Sequence, residues 1–254
     1  MVFVSGGYEK EMRLGSWISL GHPAIAEIMA AAGFDWLVVD LEHSAIGIER
    51  AEELIRIIDL AGVTPLVRLS SNNPEQIKRV MDSGAHGIVV PMVKTGEDAN
   101  NAVRAVHYPP LGDRSVGLAR AQKYGAGFQE YFDWERENAS VIVQIEHIQA
   151  VENIEEIFSV NGISGYIIGP YDLSASMGIA GQFDNKALTS ALETVRAIAE
   201  EKNIPNGIHI VEPDRVELLQ RIRQGYEFIA YSLDMRMLDV ACREGLREFS
   251  DHET

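Results

Sequence analysis

The stretches Val141-Ile-Val-Gln-Ile-Glu146 and Tyr166-Ile-Ile-Gly-Pro-Tyr-Asp172 decide the fold, because in each a short apolar run is followed by an acid. The apolar runs have the length of a strand buried on both faces of a parallel sheet. A carboxylate placed just past such a strand is held rigidly and faces the mouth of the sheet. Two such acids on neighbouring strands form a hard oxygen site suited to Mg²⁺ or Mn²⁺. The stretches therefore predict a parallel α/β protein with a metal site at the strand ends.

Strand-like runs and amphipathic helical patterns alternate along the whole chain. Eight strands are predicted, at Trp17-Leu20, Trp36-Leu41, Pro65-Leu69, Gly87-Met92, Val141-Ile145, Gly165-Ile168, Pro205-Ile210 and Phe228-Leu233. Eight helices are predicted, at Ala24-Ala32, Ile48-Ala61, Pro74-Ser83, Glu97-His107, Ala150-Val160, Lys186-Lys202, Pro213-Gln224 and Met235-Phe249. This alternation favours a single (β/α)₈ TIM barrel over residues 1–254. A doubly wound sheet is the alternative, but the junction Leu20-Gly21-His22-Pro23 lacks the GxGxxG fingerprint of that fold.

Segment 108–140 is too long for a simple connection between the fourth and fifth strands. It contains two prolines, several glycines and a cluster of aromatic residues. Long loops in compact domains are usually functional or disordered, and the aromatic residues argue against disorder. We predict an active-site loop with a short helix near Phe128-Glu137.

Composition excludes several classes of function. The net charge is −16 and the pI about 4.8, so no basic face is expected to bind nucleic acid. The amino-terminal ten residues lack the pattern of a signal peptide, and no apolar run is long enough to span a bilayer. The single Cys242 excludes an intrachain disulfide and fits a reducing compartment. We expect a soluble cytoplasmic protein that makes no membrane contact.

Polar residues recur where the predicted strands end. They are Asp40, Glu42 and His43 after strand two, Arg68 on strand three, Gln144 and Glu146 on strand five, and Asp172 after strand six. Each alone has an ordinary structural explanation, such as a hydrogen-bonded histidine or an acid paired with arginine. Buried together, such charges must be paired or metal-bound. Their positions at successive strand ends predict a catalytic site.

Chemistry suggests a role for each of these residues. Glu146 and Asp172 would ligate one divalent cation and leave positions open for a 2-oxo acid. Arg68 would hold the substrate's carboxylate or keto oxygen. His43 would move a proton, with Asp40 or Glu42 orienting it.

Several motifs resemble the HpcH/HpaI family of class II, metal-dependent pyruvate aldolases. They are Asp40-Leu-Glu-His43, Val67-Arg68, Val90-Pro-Met-Val93, Gln144-Ile-Glu146 and Gly169-Pro-Tyr-Asp-Leu-Ser-Ala-Ser-Met-Gly178. The family includes 4-hydroxy-2-oxoheptanedioate, 2-keto-3-deoxy-L-rhamnonate and 2-dehydro-3-deoxyglucarate aldolases. The similarity covers nearly the whole chain in the same order. The Gly169–Gly178 block is the most specific part of it.

The resemblance implies a phosphoenolpyruvate/pyruvate-type (β/α)₈ barrel whose eighth helix is exchanged between subunits of a homohexamer. It implies Mg²⁺, Mn²⁺ or Co²⁺ on Glu146 and Asp172 and no organic cofactor. Catalytic roles fall to His43, Arg68 and Asp40, and substrate contacts to Arg68, Gln144, Tyr171, Asp172 and Ser174. Asp82 matches a position that enters a neighbouring subunit's site. The partners implied are a small-molecule 2-oxo acid and an aldehyde.

Two departures from the family pattern bear on the substrate. Leu41 replaces a usual glycine, and the motif Arg114-Ser-Val-Gly117 has serine where glycine is usual. A citrate-lyase-β-like or malyl-CoA-type lyase is the alternative enzyme, although lysine and arginine are sparse for binding CoA phosphates. A Schiff-base aldolase needs a strand-borne lysine, and Lys94 is better explained as a solvated loop residue. A metabolite-binding barrel without catalysis would require a missing site residue.

Overall fold

The computed structural model describes residues 12–251, with side chains as far as residue 247. Eight parallel strands close into a barrel in the order β1 to β8. Their bounds are β1 Arg13–Ile18, β2 Trp36–Asp40, β3 Thr64–Arg68, β4 Gly87–Val90, β5 Ser140–Ile145, β6 Gly165–Ile168, β7 Asn206–Ile210 and β8 Phe228–Leu233. The predicted (β/α)₈ barrel is confirmed. Residues 1–11, where no targeting segment is predicted, lie outside the described residues.

Helices surround the barrel between successive strands. Their bounds are α1 Pro23–Ala31, α2 Ile48–Leu60, α3 Pro74–Asp82, α4 Gly96–Val106, α5 Phe128–Asn138, α6 Ile148–Glu152, α7 Ile154–Phe158, α8 Pro170–Ser176, α9 Lys186–Lys202, α10 Arg215–Arg223 and α11 Asp234–Asp251. A 3₁₀ turn, Lys123–Gly125, precedes α5. None of the helices within residues 12–251 is both long and apolar enough to cross a membrane.

Apolar side chains on both faces of the strands explain why the sheet is buried. Inward-facing residues such as Val38, Leu66 and Ile142 fill the barrel, and Trp36 stacks on Phe228 with ring centroids 3.9 Å apart. Outward-facing aliphatic residues of the strands pack against the helices in a separate, larger core. The strands therefore read as nearly continuous apolar runs, as is typical of parallel sheets.

The predicted bounds of β1 are wrong by four residues at the start. The strand begins at Arg13, where its first residues pair with β8, and ends at Ile18. Gly15 lies inside this strand, and a Cβ there would lie 2.0 Å from the ring of Trp36. Glycine is needed at this point of the strand because the indole packs against its backbone.

The single helix predicted over Ala150-Val160 is two short helices, α6 and α7, which meet at Asn153. Asn153 leaves the helical conformation, with φ −103° and ψ 15°. Its side-chain amide donates a hydrogen bond to the carbonyl of Lys94 at 2.9 Å. Asparagine competes for backbone partners in this way and so interrupts helices.

The long segment 108–140 contains the predicted short helix, as α5. Its contacts lie at the ends of neighbouring helices: Arg120 Nη2 is 2.6 Å from Asp59 Oδ2, and Tyr131 Oη donates to the carbonyl of Met81 at 3.4 Å. Helices of a barrel run antiparallel to its strands, so these contacts are at the amino-terminal face. The segment therefore lies on the side opposite the strand carboxyl ends.

Candidate active site

A cavity of about 90 Å³ lies inside the mouth of the barrel, at the carboxyl ends of the strands. TIM-barrel enzymes carry out their chemistry at this face. Four of the predicted site residues line the cavity, namely Arg68, Gln144, Tyr171 and Asp172. Trp17 and His209, which were not predicted as site residues, line it as well.

Asp40 holds the guanidinium of Arg68 through two parallel hydrogen bonds. Nε donates to Oδ1 at 2.8 Å and Nη2 donates to Oδ2 at 2.7 Å. Burial alone would raise the pKa of Asp40, but the hydrogen bonds and charge of Arg68 bring that pKa below its ordinary value. Asp40 therefore stays ionised and fixes the plane of the guanidinium. The indole of Trp17 supports the same group, with Cζ 4.4 Å from its ring centroid.

His43 lies at the rim of the site, with its side chain 68% exposed. The prediction that Asp40 orients its imidazole is corrected, because Asp40 Oδ1 accepts from the backbone N–H of His43, at 3.4 Å, while the carboxylate holds Arg68. Glu42 is placed better for that role. Its Oε2 lies 3.9 Å from His43 Nε2 and 3.3 Å from Arg68 Nη1.

The carboxylate of Glu146 is held inside the site from two sides. Oε1 accepts the backbone N–H of Met92 at 2.6 Å, and Oε2 accepts from the amide of Gln144. Met92 adopts a left-handed φ of 54° just past β4. Gly169 leaves the space that the carboxylate occupies, because a Cβ at this position would lie 2.8 Å from Glu146 Oε2. The sequence Gly169-Pro170 thus makes room for a buried acid.

The donor groups around Glu146 fit a divalent cation. Burial raises the pKa of Glu146 to about 7, and the nearby charges of Glu42 and Asp172 contribute to the increase. Gln144 Oε1 is buried and has no hydrogen-bond partner among the described residues, and the buried Glu42 Oε2 accepts no hydrogen bond there but lies in an ion pair with Arg68. Hard oxygen atoms with excess negative charge are the ligands that Mg²⁺ and Mn²⁺ prefer.

The protein supplies only part of a coordination shell. Within residues 12–251, no three side chains of His, Cys, Asp or Glu form a ready-made metal cluster. Glu146 and Asp172 together would leave most positions around a cation to water and substrate. An open site of this kind is typical of a catalytic cation.

The segment after β6 places Tyr171 and Asp172 on the cavity but not Ser174. Tyr171 is 56% exposed and meets the ring of Phe183 edge-on, with centroids 4.8 Å apart. Ser174 is fully buried; its Oγ donates to the Tyr171 carbonyl at 2.8 Å and accepts the Gly181 N–H at 3.1 Å. The predicted substrate contact of Ser174 is therefore corrected to a structural role that holds Tyr171 in place.

Asp82 lies at the end of α3, at the amino-terminal face of the barrel. Its Oδ1 is 3.5 Å from Gln122 Nε2, and the backbone N–H of Ala121 donates to its carbonyl at 3.0 Å. Asp82 and segment 108–140 therefore lie together, away from the cavity.

Three contributors to the site were missed by the sequence analysis. Trp17 and His209 were predicted as strand residues without a site role, and the backbone N–H of Met92 carries no signal in its side chain. The alternation of strand side chains offers a signal for His209. Gly207, His209 and Val211 share one face of the β7 segment, while Ile208 and Ile210 share the other. A polar side chain among the inward-facing residues of a strand therefore indicates a position at the mouth of the barrel.

Comparison with known proteins agrees with this arrangement. The chain is 35% identical over 241 residues to a hydroxypyruvate/pyruvate aldolase of Sagittula stellata, covering 94% of each protein. It is 36% identical over 245 residues to a 4-hydroxy-2-oxo-heptane-1,7-dioate aldolase of Escherichia coli, covering 95% of this chain and 92% of the relative. The structure superimposes on an HpcH/HpaI aldolase/citrate lyase family protein from Burkholderia cenocepacia J2315 with a TM-score of 0.89, 32% identity and 95% of each chain covered.

Residues 13–239 match the family described as HpcH/HpaI aldolase/citrate lyase. The resemblance seen in the motifs is thereby confirmed, and so is the prediction of an enzyme of the aldolase type, since relatives over nearly the whole chain are aldolases. The chain belongs to the HpcH/HpaI aldolase/citrate lyase family.

Proposed function

We propose that the protein is a divalent-metal-dependent aldolase that reversibly cleaves a 4-hydroxy-2-oxo acid to pyruvate and an aldehyde. The observation that carries the proposal is the buried carboxylate of Glu146, which the backbone N–H of Met92 and the amide of Gln144 hold in place at the strand ends. Arg68 lines the same cavity as Asp172. A cation site next to a fixed guanidinium suits a substrate with adjacent carboxylate and keto oxygens. The names of the aldolase relatives support this substrate class.

Glu146 and Asp172 are the proposed ligands for Mg²⁺, Mn²⁺ or Co²⁺. When bound, the cation would supply a Lewis acid that stabilises negative charge on the 2-oxo oxygen. Gln144 positions one oxygen of Glu146 through its amide. The proposal involves no organic cofactor.

The residues of this chain would divide the remaining work of cleavage. Arg68, fixed by Asp40 and stacked on Trp17, holds the substrate's carboxylate or keto oxygen. His43, beside Glu42 at the rim, accepts the proton of the C4 hydroxyl. The C3–C4 bond then breaks, the aldehyde leaves, and the bonding electrons form the enolate of pyruvate. Return of a proton to C3 completes pyruvate, and the reverse sequence forms the C–C bond.

The proposal includes sites shared between subunits of a homo-oligomer, with a hexamer as the expected state. Asp82 and segment 108–140 lie at the face opposite the cavity, where Val116 and Leu118 are exposed. A loop acting on a neighbouring subunit's site would account for that placement.

The proposed exchange of the eighth helix, α11, has its own support. Leu238 and Leu246 on α11 are exposed, as is Ile28 on α1. Such apolar surface is expected where a helix packs on a neighbouring subunit. A cytoplasmic location is proposed from the single Cys242, which is exposed and free.

An assay for pyruvate release tests the proposed function. Protein loaded with Mg²⁺ or Mn²⁺ would be offered a panel of 4-hydroxy-2-oxo diacids and 2-keto-3-deoxy sugar acids, with malyl-CoA as the comparison substrate. We expect pyruvate from at least one 4-hydroxy-2-oxo acid. Turnover of the CoA ester alone would favour the malyl-CoA-type lyase instead.

A further inference from the structure

Two aromatic side chains at the rim of the cavity, Tyr171 and Phe183, are left without a role by the proposed mechanism. Tyr171 lines the cavity and also reaches the surface, and Phe183 beside it is 41% exposed. Their rings meet edge-on at 84°, with centroids 4.8 Å apart. Large rings that remain exposed beside a ligand cavity form an apolar surface that a bound molecule can cover.

The backbone fixes both rings in this position. Ser174 Oγ donates to the carbonyl of Tyr171 at 2.8 Å and accepts the N–H of Gly181 at 3.1 Å. Gly178 and Gly181 adopt left-handed φ values of 75° and 73°, which turn the chain back toward α8 after that helix ends. The chain reaches Phe183 through this turn, so the packing of the two rings follows from the fold of the segment after β6.

A group attached to C4 of the substrate reaches the surface by way of Tyr171. The cavity has a volume of about 90 Å³, and apolar residues such as Ile167 and Val211 border it. The three carbons of pyruvate, anchored by Arg68 and the proposed cation, occupy this space. Because Tyr171 lies both on the cavity wall and at the surface, the aldehyde half extends over its ring toward Phe183.

The charges around the cavity do not suit a second carboxylate on the substrate. Among the cavity-lining residues in the described part of the chain, Arg68 is the one lysine or arginine. Asp40 binds the guanidinium from one side, and the proposed mechanism assigns the other side to the 2-oxo acid. The residues that follow the two rings in the sequence are acids, Asp172 and Asp184. A carboxylate on the aldehyde half would therefore lie near like charges without a cation to pair with.

We propose that Tyr171 and Phe183 bind the carbon chain of the aldehyde half and that this half is uncharged, so that the substrate is a 4-hydroxy-2-oxo monoacid rather than a diacid. The inference rests on the proposed function and names its substrate class. An aromatic ring accepts alkyl chains and the C–H groups of sugar chains alike, but its electron-rich face repels a carboxylate. Of the acids in the pyruvate-release panel, the 2-keto-3-deoxy sugar acids with an uncharged chain fit this surface, and the diacids do not.

Two aldehydes with equal numbers of carbon atoms test the preference. Butanal ends in a methyl group where succinate semialdehyde ends in a carboxylate, and the Mn²⁺-loaded protein would condense each with pyruvate. The measurement is the ratio of kcat/KM for butanal to kcat/KM for succinate semialdehyde. We expect a ratio of at least about tenfold in the wild type, the effect of one unpaired charge placed near an acid.

Tyr171→Ala removes the ring that borders the cavity. The kcat/KM for butanal should fall roughly fourfold to fifteenfold, the effect of one or two buried CH₂ groups. The loss should appear in the KM for the aldehyde, because the contact is present before the transition state as well as in it. The kcat/KM for succinate semialdehyde should change less than about twofold, since its carboxylate gains nothing from the ring. The ratio therefore falls.

Phe183→Lys and its matched control Phe183→Met differ in charge at similar side-chain length. The lysine should raise kcat/KM for succinate semialdehyde roughly threefold, the effect of an exposed ion pair, and added salt should remove the gain. The methionine should leave that value within about twofold of the wild type, because it adds no charge. A ring with a merely structural role would give no gain when lysine replaces it.

The oligomeric state of each variant, measured by analytical ultracentrifugation, distinguishes a substrate contact from a subunit contact. All variants should keep the state of the wild type. Equal losses for both aldehydes with an altered oligomeric state would assign the rings to a subunit interface and overturn the inference. A wild-type ratio of about one or less, with turnover intact, would overturn the inference alone. Failure of the wild type to condense pyruvate with either aldehyde would instead count against the proposed function.

Discussion

Asp40 and Arg68 are paired residues on adjacent strands whose side chains form a two-point hydrogen-bonded contact, Nε to Oδ1 at 2.8 Å and Nη2 to Oδ2 at 2.7 Å. From the sequence, either Asp40 or Glu42 was expected to orient the imidazole of His43. The observed contact assigns Asp40 to the guanidinium that the proposed mechanism uses to hold the substrate. We therefore propose that the buried acid positions Arg68 rather than His43.

Asp40→Asn should reduce activity in the same way as a substitution of Arg68, but less severely. The amide keeps the volume but removes the charge and one acceptor, so the guanidinium loses its fixed plane. We expect kcat/KM to fall on the order of 100-fold, with Arg68→Ala lower still and Arg68→Lys only partly active. The kcat/KM of the double variant, Asp40→Asn with Arg68→Ala, should be no lower than that of Arg68→Ala alone, because both changes disrupt the same paired unit. Additive losses in this cycle of kcat/KM values would show that Asp40 acts independently of Arg68.

Gly169→Ala should weaken metal binding without changing a ligand. The new Cβ would lie 2.8 Å from Glu146 Oε2 and must displace the carboxylate. We expect at least a roughly tenfold increase in the Kd for Mn²⁺ by calorimetry, the effect of disturbing the groups that orient a ligand. Gly47→Ala is the control, since no atom lies within 4 Å of a Cβ there and φ is −85°. Equal Mn²⁺ affinity in the two variants would contradict the proposed position of the ligand.

Glu146→Gln should raise the free energy of unfolding of the metal-free protein. The same change should abolish the stabilisation that bound metal gives to the wild type. The pKa of Glu146 is raised from 4.5 to about 7, so between these pH values the native state holds a proton that the unfolded state has lost. The free energy of unfolding of the wild type should therefore fall as pH rises through this window. At 1.36 kcal/mol per pH unit, the effect is on the order of 3 kcal/mol.

Denaturant unfolding in excess chelator, from pH 4 to pH 8, measures this difference. The variant should lack the wild type's decline between about pH 4.5 and pH 7, and Mg²⁺ should raise the Tm of the wild type only. Parallel profiles of the two proteins would show that Glu146 is not an uncompensated buried carboxylate.

His43→Ala should impair proton transfer far more than metal binding. The side chain lies at the rim beside Glu42, while the proposed ligands follow β5 and β6. A general base contributes on the order of 10²- to 10⁴-fold, so we expect a loss of kcat in this range with the Kd for Mn²⁺ unchanged. Glu42→Gln should show a milder form of the same loss. A variant that lost bound metal would make His43 a ligand.

The sequence predicted the barrel and the clustering of the strand-end residues well, because both follow from simple periodicity. Parallel strands buried on both faces appear as apolar runs, and their carboxyl ends meet at one face. Arg68, Gln144, Tyr171 and Asp172 were brought to one cavity in this way. The paired acids themselves predicted a divalent cation and a 2-oxo acid, and the resemblance to the family added the pyruvate aldolase reaction.

The remaining features depend on contacts between residues distant in sequence. The start of β1 depends on Trp36 packing against Gly15, and the interruption of the predicted helix Ala150-Val160 depends on Asn153 reaching Lys94. The burial of Ser174 depends on its bond to Gly181. Such pairings follow from the three-dimensional arrangement and leave no local pattern. The face on which segment 108–140 lies could have been foreseen. The segment joins a helix to the next strand, and such connections lie at the amino-terminal face of the barrel.

Exchange of the C3 protons of pyruvate in D₂O, followed by ¹H NMR, tests the central claim most directly, because it reports enolate formation without any aldehyde. The wild type with Mg²⁺ or Mn²⁺ should exchange the methyl protons, and the protein in excess chelator and the Glu146→Gln and Asp172→Asn variants should not. Recovery of exchange after metal is returned to the chelated wild type completes the expected result. Exchange at the wild-type rate in excess chelator, or in both ligand variants, would contradict a metal-assisted enolisation at Glu146 and Asp172.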